Sequence, residues 1–216
     1  MRWVTLGVLG GAAAILLAAW DRVPDRWVIH WGGADRPNGW MGKSVAGAMS
    51  MLLVGAAVWL LVEGSVWAMR RNAESRQPPL HPAFVDVQAG VARAAALGVA
   101  LVCGGLTLVL PLVQPRSSWP LVLGAFATIA ACLAGSSVWG RAQAHKARAA
   151  GAALPRGYEN LLYYSNIDDP RVWVPKVSGT GWTLNFAHRR AWAWMLLLAG
   201  VPIALVVAIG IATAVR

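Results

Sequence analysis

Three observations predict an all-α integral membrane protein, with five transmembrane helices and a short cytoplasmic β-hairpin. Hydrophobic residues make up 57% of the 216 and charged residues only 13%, against about 45–50% and about 25% in a soluble domain. Five apolar stretches approach the roughly 20 residues that a helix rising about 1.5 Å per residue needs to cross the hydrocarbon core. Tryptophans gather at their ends, where an amphipathic ring settles at headgroup level. Mean hydropathy is +0.53.

The stretches run from Trp3 to Trp20, Val45 to Met69, Ala94 to Val113, Trp119 to Trp139 and Trp192 to Val215. Arg2 ahead of an apolar run closing in Leu17-Ala18-Ala19 has the outline of a secretory signal peptide. The run exceeds the apolar core of about 7–15 residues typical of such signals, so it is read as an uncleaved span. The chain then divides into a two-span unit over 1–69, a loop plus helical hairpin over 70–139, a cytoplasmic module over 140–190 and a final helix over 191–216.

Orientation follows from the cations. Most of the 19 Lys and Arg, from Arg2 through Arg70, Arg71, Arg76 and Arg93 to the run Arg141–Arg190, fall on the side that holds the N-terminus. The positive-inside rule then puts the N-terminus in the cytoplasm and the C-terminus outside. The same scatter removes nucleic acid from consideration: the net charge of +10 is dispersed between apolar runs, with no fold to present a basic patch. Cys103 and Cys132 both lie inside apolar runs and read as small packing residues rather than a disulfide.

In lipid, helices associate where small residues let backbones approach. Gly7 with Gly11, Ala127 with Ala131 and Gly135, and Gly200 with Ala204, Ala208 and Ala212 are the expected contact faces. Only Gln114–Ser118 separates the third and fourth spans, which makes them antiparallel neighbours. Pro202 removes a backbone hydrogen bond in the fifth. Glu63 is the one acid within a predicted span. Val45–Val62 is already long enough to cross, so Glu63 reads first as interfacial; the alternatives are an ion pair with Arg93 or a role in proton or ion handling.

The stretch Asp21–Lys43 is the polar exception, with three Trp, four Gly, two Pro and His30 between two apolar runs. It faces outward, with Pro37-Asn38-Gly39-Trp40 read as a turn. On the cytoplasmic side, Pro78, Pro79 and Pro82 mark 70–88 as an irregular loop containing a solvated His81, and the fourth helix extends inward toward Pro155. Beyond it, Asp168-Asp169-Pro170 is a turn, Val172–Val174 and Trp182–Phe186 are strands, and Ser178–Gly181 turns between them. Trp173 and Trp182 are placed to face each other or the membrane. Gly179 and Gly181 read as turn glycines, since no phosphate-loop or dinucleotide fingerprint surrounds them.

Two stretches carry a resemblance. Val23-Pro24-Asp25-Arg26, His30-Trp31 and Asp35-x-Pro37-Asn38-Gly39-Trp40-x-x-Lys43 resemble the first exofacial loop of the SdpI-like bacterial membrane family of unknown function, which includes an immunity protein against a secreted killing peptide. The spacing ahead of His30 departs from that family, and Gly32 stands where it usually has Asn. Tyr164, Asn166, Asp168, Asp169, Pro175, Lys176, Gly179, Gly181, Trp182 and Asn185 look like a small cytoplasmic module of similar bacterial membrane proteins. The resemblance implies a multi-pass protein of the bacterial inner membrane that senses, or confers immunity to, a peptide or envelope ligand. Its implied partners are the lipid bilayer, a peptide outside, and a cytoplasmic regulator or second membrane subunit.

On this reading Pro24, His30, Trp31, Asp35, Asn38, Gly39, Trp40 and Lys43 form the ligand-binding loop, Trp27, Trp31 and Trp40 supplying stacking surface and Lys43 and Arg36 steering charge. An accessory transporter subunit is the alternative. An enzyme using His30 is the weaker one: catalytic zinc takes three protein ligands, and no H-E-x-x-H or G-x-S-x-G occurs. No cofactor or metal is called for. His30 is otherwise a structural residue, pinning the loop through Asp35 or a backbone carbonyl.

Overall fold

The computed structural model describes residues 1–32, 35–77, 79–158, 160–177, 181–198 and 200–201. In chain order these form α1 (Arg2–Ala18), a 3-10 turn (Trp20–Arg22), β1 (Arg26–Trp31), β2 (Pro37–Gly42), α2 (Val45–Ser75), α3 (Pro82–Val113), α4 (Trp119–Ala149), β3 (Trp173–Pro175) and β4 (Trp182–Leu184). Residues 189–198 and 200–201 are again helical. β1 pairs with β2 and β3 with β4, each pair antiparallel. The chain is mostly helical, and it carries two hairpins where one was expected.

Three helices, α2, α3 and α4, have the length and composition to cross a bilayer, which makes this a membrane protein. The expected five spans are not reached among the described residues. α1 is apolar but only 17 residues long, or about 26 Å. Most of the fifth predicted span, with Pro202, Ala204, Ala208 and Ala212, lies outside the described residues.

The helices also outrun their predicted ends. α2 continues past Met69 to Ser75 and α3 starts at Pro82 instead of Ala94, so most of the loop expected over 70–88 is helix. Proline suits a first helical turn, where its missing N–H is not needed. His81 is no solvated loop residue: its Nδ1 accepts the Ala83 N–H at 3.2 Å and caps α3. α4 stops at Ala149, short of Pro155, because Gly151 takes φ +72°. The N–H groups of Gly151 and Ala152 then donate to Arg148 O at 2.9 Å and Ala147 O at 3.0 Å, closing a Schellman-type cap.

The described chain divides into two compact units. The first holds Met1–Val62 and Arg93–Leu133. Its core has two patches. Leu9 and Ala12 of α1 meet Leu52 of α2 and Ala100 of α3, while Leu16, Val23, Trp27 and Ala48 form a second cluster with Leu108, Leu110 and Leu112 against it. The second unit holds Glu63–Ala92 and the described residues from Ala134 onward. There Phe84, Val85 and Val87 of α3, Ala144 and Ala147 of α4, and Tyr158, Leu161, Tyr164 and Val174 make one core.

Small residues do set the helix spacing, but not the ones expected. Gly7, Gly11, Ala127, Ala131 and Gly135 are all exposed, and nothing lies within 4 Å of where a Cβ would stand at Gly7, Gly11 or Gly135. The close approaches fall elsewhere. A Cβ on Gly55 would meet Leu9 Cδ2 at 2.9 Å and Cys103 Cβ at 3.2 Å. One on Gly98 would stand 3.4 Å from both Ile129 Cα and Cys132 Cβ, as befits antiparallel α3 and α4. In the second unit Gly140 receives Leu162 and Val87.

Candidate functional site

The polar stretch between the first two helices is the β1–β2 hairpin, not a loop. β1 ends at Trp31 and β2 begins at Pro37; between them Asp35 takes φ 56° and the Gly32 N–H donates to Arg36 O at 2.8 Å. Pro37-Asn38-Gly39-Trp40 is therefore strand rather than turn. Sequence alternation concealed this because the pairing slips twice, between Val28 and His30 and between His30 and Trp31. Such bulges break the period of two that marks a strand.

Three attachments hold the hairpin. Trp27 is only 2% exposed and sits in the core with Leu16, Val23 and Ala48, so it is an anchor and not a ligand contact. Lys43 donates its Nζ–H to Val23 O at 2.8 Å and lies 5.5 Å from the centre of the Trp20 ring, while its backbone N–H reaches Asp25 O. That spends Lys43 on the chain itself. Asp35, expected to pair with His30, instead accepts from the backbone N–H of Ser118 at 2.8 Å and from its hydroxyl at 2.5 Å. Hydrogen bonds from the hydroxyl of Ser117, then the hydroxyl and amide of Ser118, hold the Asp35 carboxyl below its ordinary range. A carboxylate at the start of α4 also faces the positive end of the helix dipole.

His30 finds its partner across the hairpin. Its Nδ1 lies 2.5 Å from Asn38 Oδ1; an amide oxygen only accepts, so the ring proton sits on Nδ1. Gly39 is required opposite it, since a Cβ there would stand 2.7 Å from His30 Cβ, and a Cβ at Gly32 would collide with the Asn38 amide. Gly32, His30, Asn38 and Gly39 thus form one interlocked set. Pro24 is half-buried just ahead of β1.

The outer surface presents Trp40, 51% exposed with the Arg26 guanidinium 5.3 Å from its ring centre, together with Ile29, His30 and Asn38. Trp31 is half-buried, and its indole N–H has no acceptor among the described residues. Each strand of a two-stranded sheet keeps one edge of backbone donors and acceptors unpaired by the other.

Of the residues expected to form a cytoplasmic module, Tyr164, Asn166, Asp169 and Asn185 gather into a polar knot. Asn185, fully buried, donates to Asn166 O at 2.7 Å and Asp169 O at 3.0 Å, and its Oδ1 accepts from the N–H of Asn166 at 2.9 Å. Asp169 accepts from Tyr164 Oη at 2.9 Å and from Arg171 Nε and NH2 at 2.9 and 2.8 Å; the Arg171 bonds hold its carboxyl far below the usual range. Burial pushes the Tyr164 phenol up. Asp168 pairs on the surface with Arg156. Gly181 takes φ +79°, as a turn glycine should, and Gly179 lies outside the described residues. Arg171 and His188, whose Nε2 meets Asp169 O at 2.6 Å, complete the knot; no sequence spacing announces either. The knot satisfies itself, which makes these residues scaffold.

β3 and β4 are shorter than expected, and Trp173 stands opposite Leu184, with Trp182 opposite Pro175, so the two tryptophans do not pair. Beneath them a cavity of about 120 Å³ is lined by Phe84, Gln88, Tyr158, Leu162, Lys176 and Thr183, room for a few waters at about 30 Å³ each. Glu63 on α2 and Arg93 on α3 are both half-buried and each is engaged.

Residues 7–59, from α1 through the hairpin into α2, match a domain of unknown function (DUF1648). Residues 168–192, which hold the β3–β4 hairpin and Asp169, Arg171, Asn185 and His188 of the knot, match a family of unknown function (DUF5808). No curated protein and no solved structure matches the chain. The two segments that the site geometry singles out are thus the two that match family models.

Proposed function

We propose that this is a multi-pass bacterial inner-membrane protein of the SdpI-like class, in which α1 and the helix beginning near residue 189 span with α2, α3 and α4. Its N-terminus is cytoplasmic, and the β1–β2 hairpin recognises an extended peptide outside the membrane, in immunity or in sensing. The observation that carries this is a hairpin held at Trp27, Lys43 and Asp35 whose opposite surface offers an exposed Trp40 and unpaired strand edges. A rigid aromatic beside a free edge suits β-strand addition, in which backbone bonds give affinity and side chains give choice. Trp31 and Trp40 contribute the apolar contacts and Arg36 the charge, with His30 and Asn38 holding the strands in register.

Peptides selected from a displayed random library against the full-length protein in nanodiscs test this. Binding should weaken about 30-fold on Trp40→Ala, as for a tryptophan hot spot, and stay unchanged on Trp182→Ala. Enrichment no better than on empty nanodiscs, or indifference to Trp40→Ala, refutes it. Orientation is checked separately in cells, with Cys103 and Cys132 replaced by Ser: Asn38→Cys should react with an impermeant thiol reagent and Gln77→Cys should not.

A further inference from the structure

The β3–β4 hairpin has two unlike faces. Directly opposed residues of an antiparallel pair share a face, so Val174 and Thr183 lie on one side and Trp173, Pro175 and Trp182 on the other. The inner side is core: Val174 is 5% exposed and Thr183 lines the cavity with Phe84 and Tyr158. On the outer side Leu184 is covered, whereas Trp182 is 62% exposed and Trp173 40% exposed.

That outer face is continuous with the start of the last helix. The Trp173 ring meets Trp194 edge-on at 5.9 Å, and Trp192 meets Phe186 at 5.2 Å while its Nε1–H donates to Phe186 O. Two residues apart on a helix point to nearly opposite sides, so aromatics clasp the first helical turn from both flanks. The helix then presents Leu196, Leu197, Leu198 and Val201, all more than half exposed. Apolar side chains that open to their surroundings directly beyond a ring of tryptophans are the pattern of a helix passing from headgroups into hydrocarbon. Arg189 and Arg190 open this helix beside the face, both exposed and neither in an ion pair among the described residues. The nearby acids are occupied, Asp168 by Arg156 and Asp169 by Arg171.

The geometry points to a second membrane contact: the outer face of the β3–β4 hairpin lies on the headgroup layer, with Trp182 and Trp173 seated among the headgroups and Arg189 and Arg190 against anionic phosphates. The occupant is an anionic phospholipid. A zwitterionic surface accepts the tryptophans but leaves the two arginines without net counter-charge, and a soluble partner has no reason to sit level with a helix entry. The hairpin becomes a collar fixing the depth at which the last helix enters, independent of what the β1–β2 hairpin recognises.

The test uses the full-length protein with Cys103 and Cys132 replaced by Ser, in nanodiscs of phosphatidylglycerol and phosphatidylcholine or of phosphatidylcholine alone. A nitroxide is attached at Trp182→Cys, with Leu196→Cys as the lipid control and Gln77→Cys as the aqueous one. Trp182 is exposed, so replacing it removes no core contact. In phosphatidylglycerol the position-182 label should approach the Leu196 control, accessible to oxygen and protected from a nickel chelate. Changing Arg190→Gln should move the docked-to-undocked ratio about fivefold, the equivalent of about 1 kcal/mol per cation at an anionic surface. A position-182 label as open to nickel as the Gln77 control overturns the proposal. Protection from both oxygen and nickel overturns it too, since that marks a protein partner; protection indifferent to phosphatidylglycerol removes the anionic lipid as occupant.

Discussion

Replacing Trp27 with alanine separates the residue that holds the β1–β2 hairpin from the residues it displays. A tryptophan buries about 150–250 Å², which at about 25 cal/mol per Å² amounts to roughly 4–6 kcal/mol as an upper bound. Measured truncations of large buried aromatics cost about 3–5 kcal/mol, the cavity included. Trp27 is 2% exposed and packs with Leu16, Val23 and Ala48, so the full range applies. An isolated two-stranded hairpin is marginal in water, hence most of that loss falls on docking of the hairpin rather than on the helices. About 3 kcal/mol is roughly a 150-fold change in the docked-to-undocked ratio. Hydrogen exchange read by mass spectrometry on the protein in nanodiscs should show amides in residues 26–31 and 37–42 exchanging about two orders of magnitude faster in Trp27→Ala. Protection in the transmembrane helices should change little. Trp40→Ala, at a site 51% exposed, should leave the same amides as protected as in the parent. Equal protection in Trp27→Ala and the parent, or a larger loss in Trp40→Ala, would falsify the assignment of anchor and display.

Gly55→Leu should lower the thermal midpoint in detergent by an amount matching about 1–3 kcal/mol of overpacking, because its new Cβ alone meets Leu9 and Cys103. Gly11→Leu, in open space, should fold as the parent does, and the reverse ranking refutes the helix interface. Asp35 gives a pH dependence of known sign. Its folded carboxyl titrates below the ordinary value of 3.8, so its stabilisation is complete above that value and fades as the pH falls through the lower folded one. Exchange of the amides flanking the turn, Gly32 and Arg36, should therefore accelerate in that acid window in the parent, and Asp35→Asn should remove the step while raising the baseline rate.

The membrane class was legible in composition alone, because lipid demands long apolar helices whatever their packing. Which face of each helix packs was not. Gly7, Gly11, Ala127, Ala131 and Gly135 have the right spacing, but so does much of a chain this rich in Gly and Ala; Gly98 shares that spacing with Gly90 and Ala94, whereas Gly55 stands in no such repeat. The polar knot was legible as residues and not as roles: Asn185 and Asp169 stand out, whereas the bonds of Asn185 and His188 to the Asp169 backbone carbonyl depend on a path no local pattern encodes. At the β1–β2 hairpin the motif His30, Asn38, Gly39 was visible, and its physical cause, a side chain lying across a glycine on the paired strand, appears only once the bulged register is known. Trp27 was counted with its exposed neighbours because apolarity does not tell an anchor from a contact.

The bond from Asp35 to Ser118 spans 83 residues of chain. During synthesis at about 5–20 residues per second, the carboxylate is made several seconds before the helix end that it caps. Asp35 is the partner made first, and α1, α2 and α3, the last with Leu108, Leu110 and Leu112 against the hairpin's core, are all synthesised before α4. The first turn of α4 thus receives its cap from an element already standing, and the order in which the membrane segments arrive is written into which residue supplies the hydrogen bond.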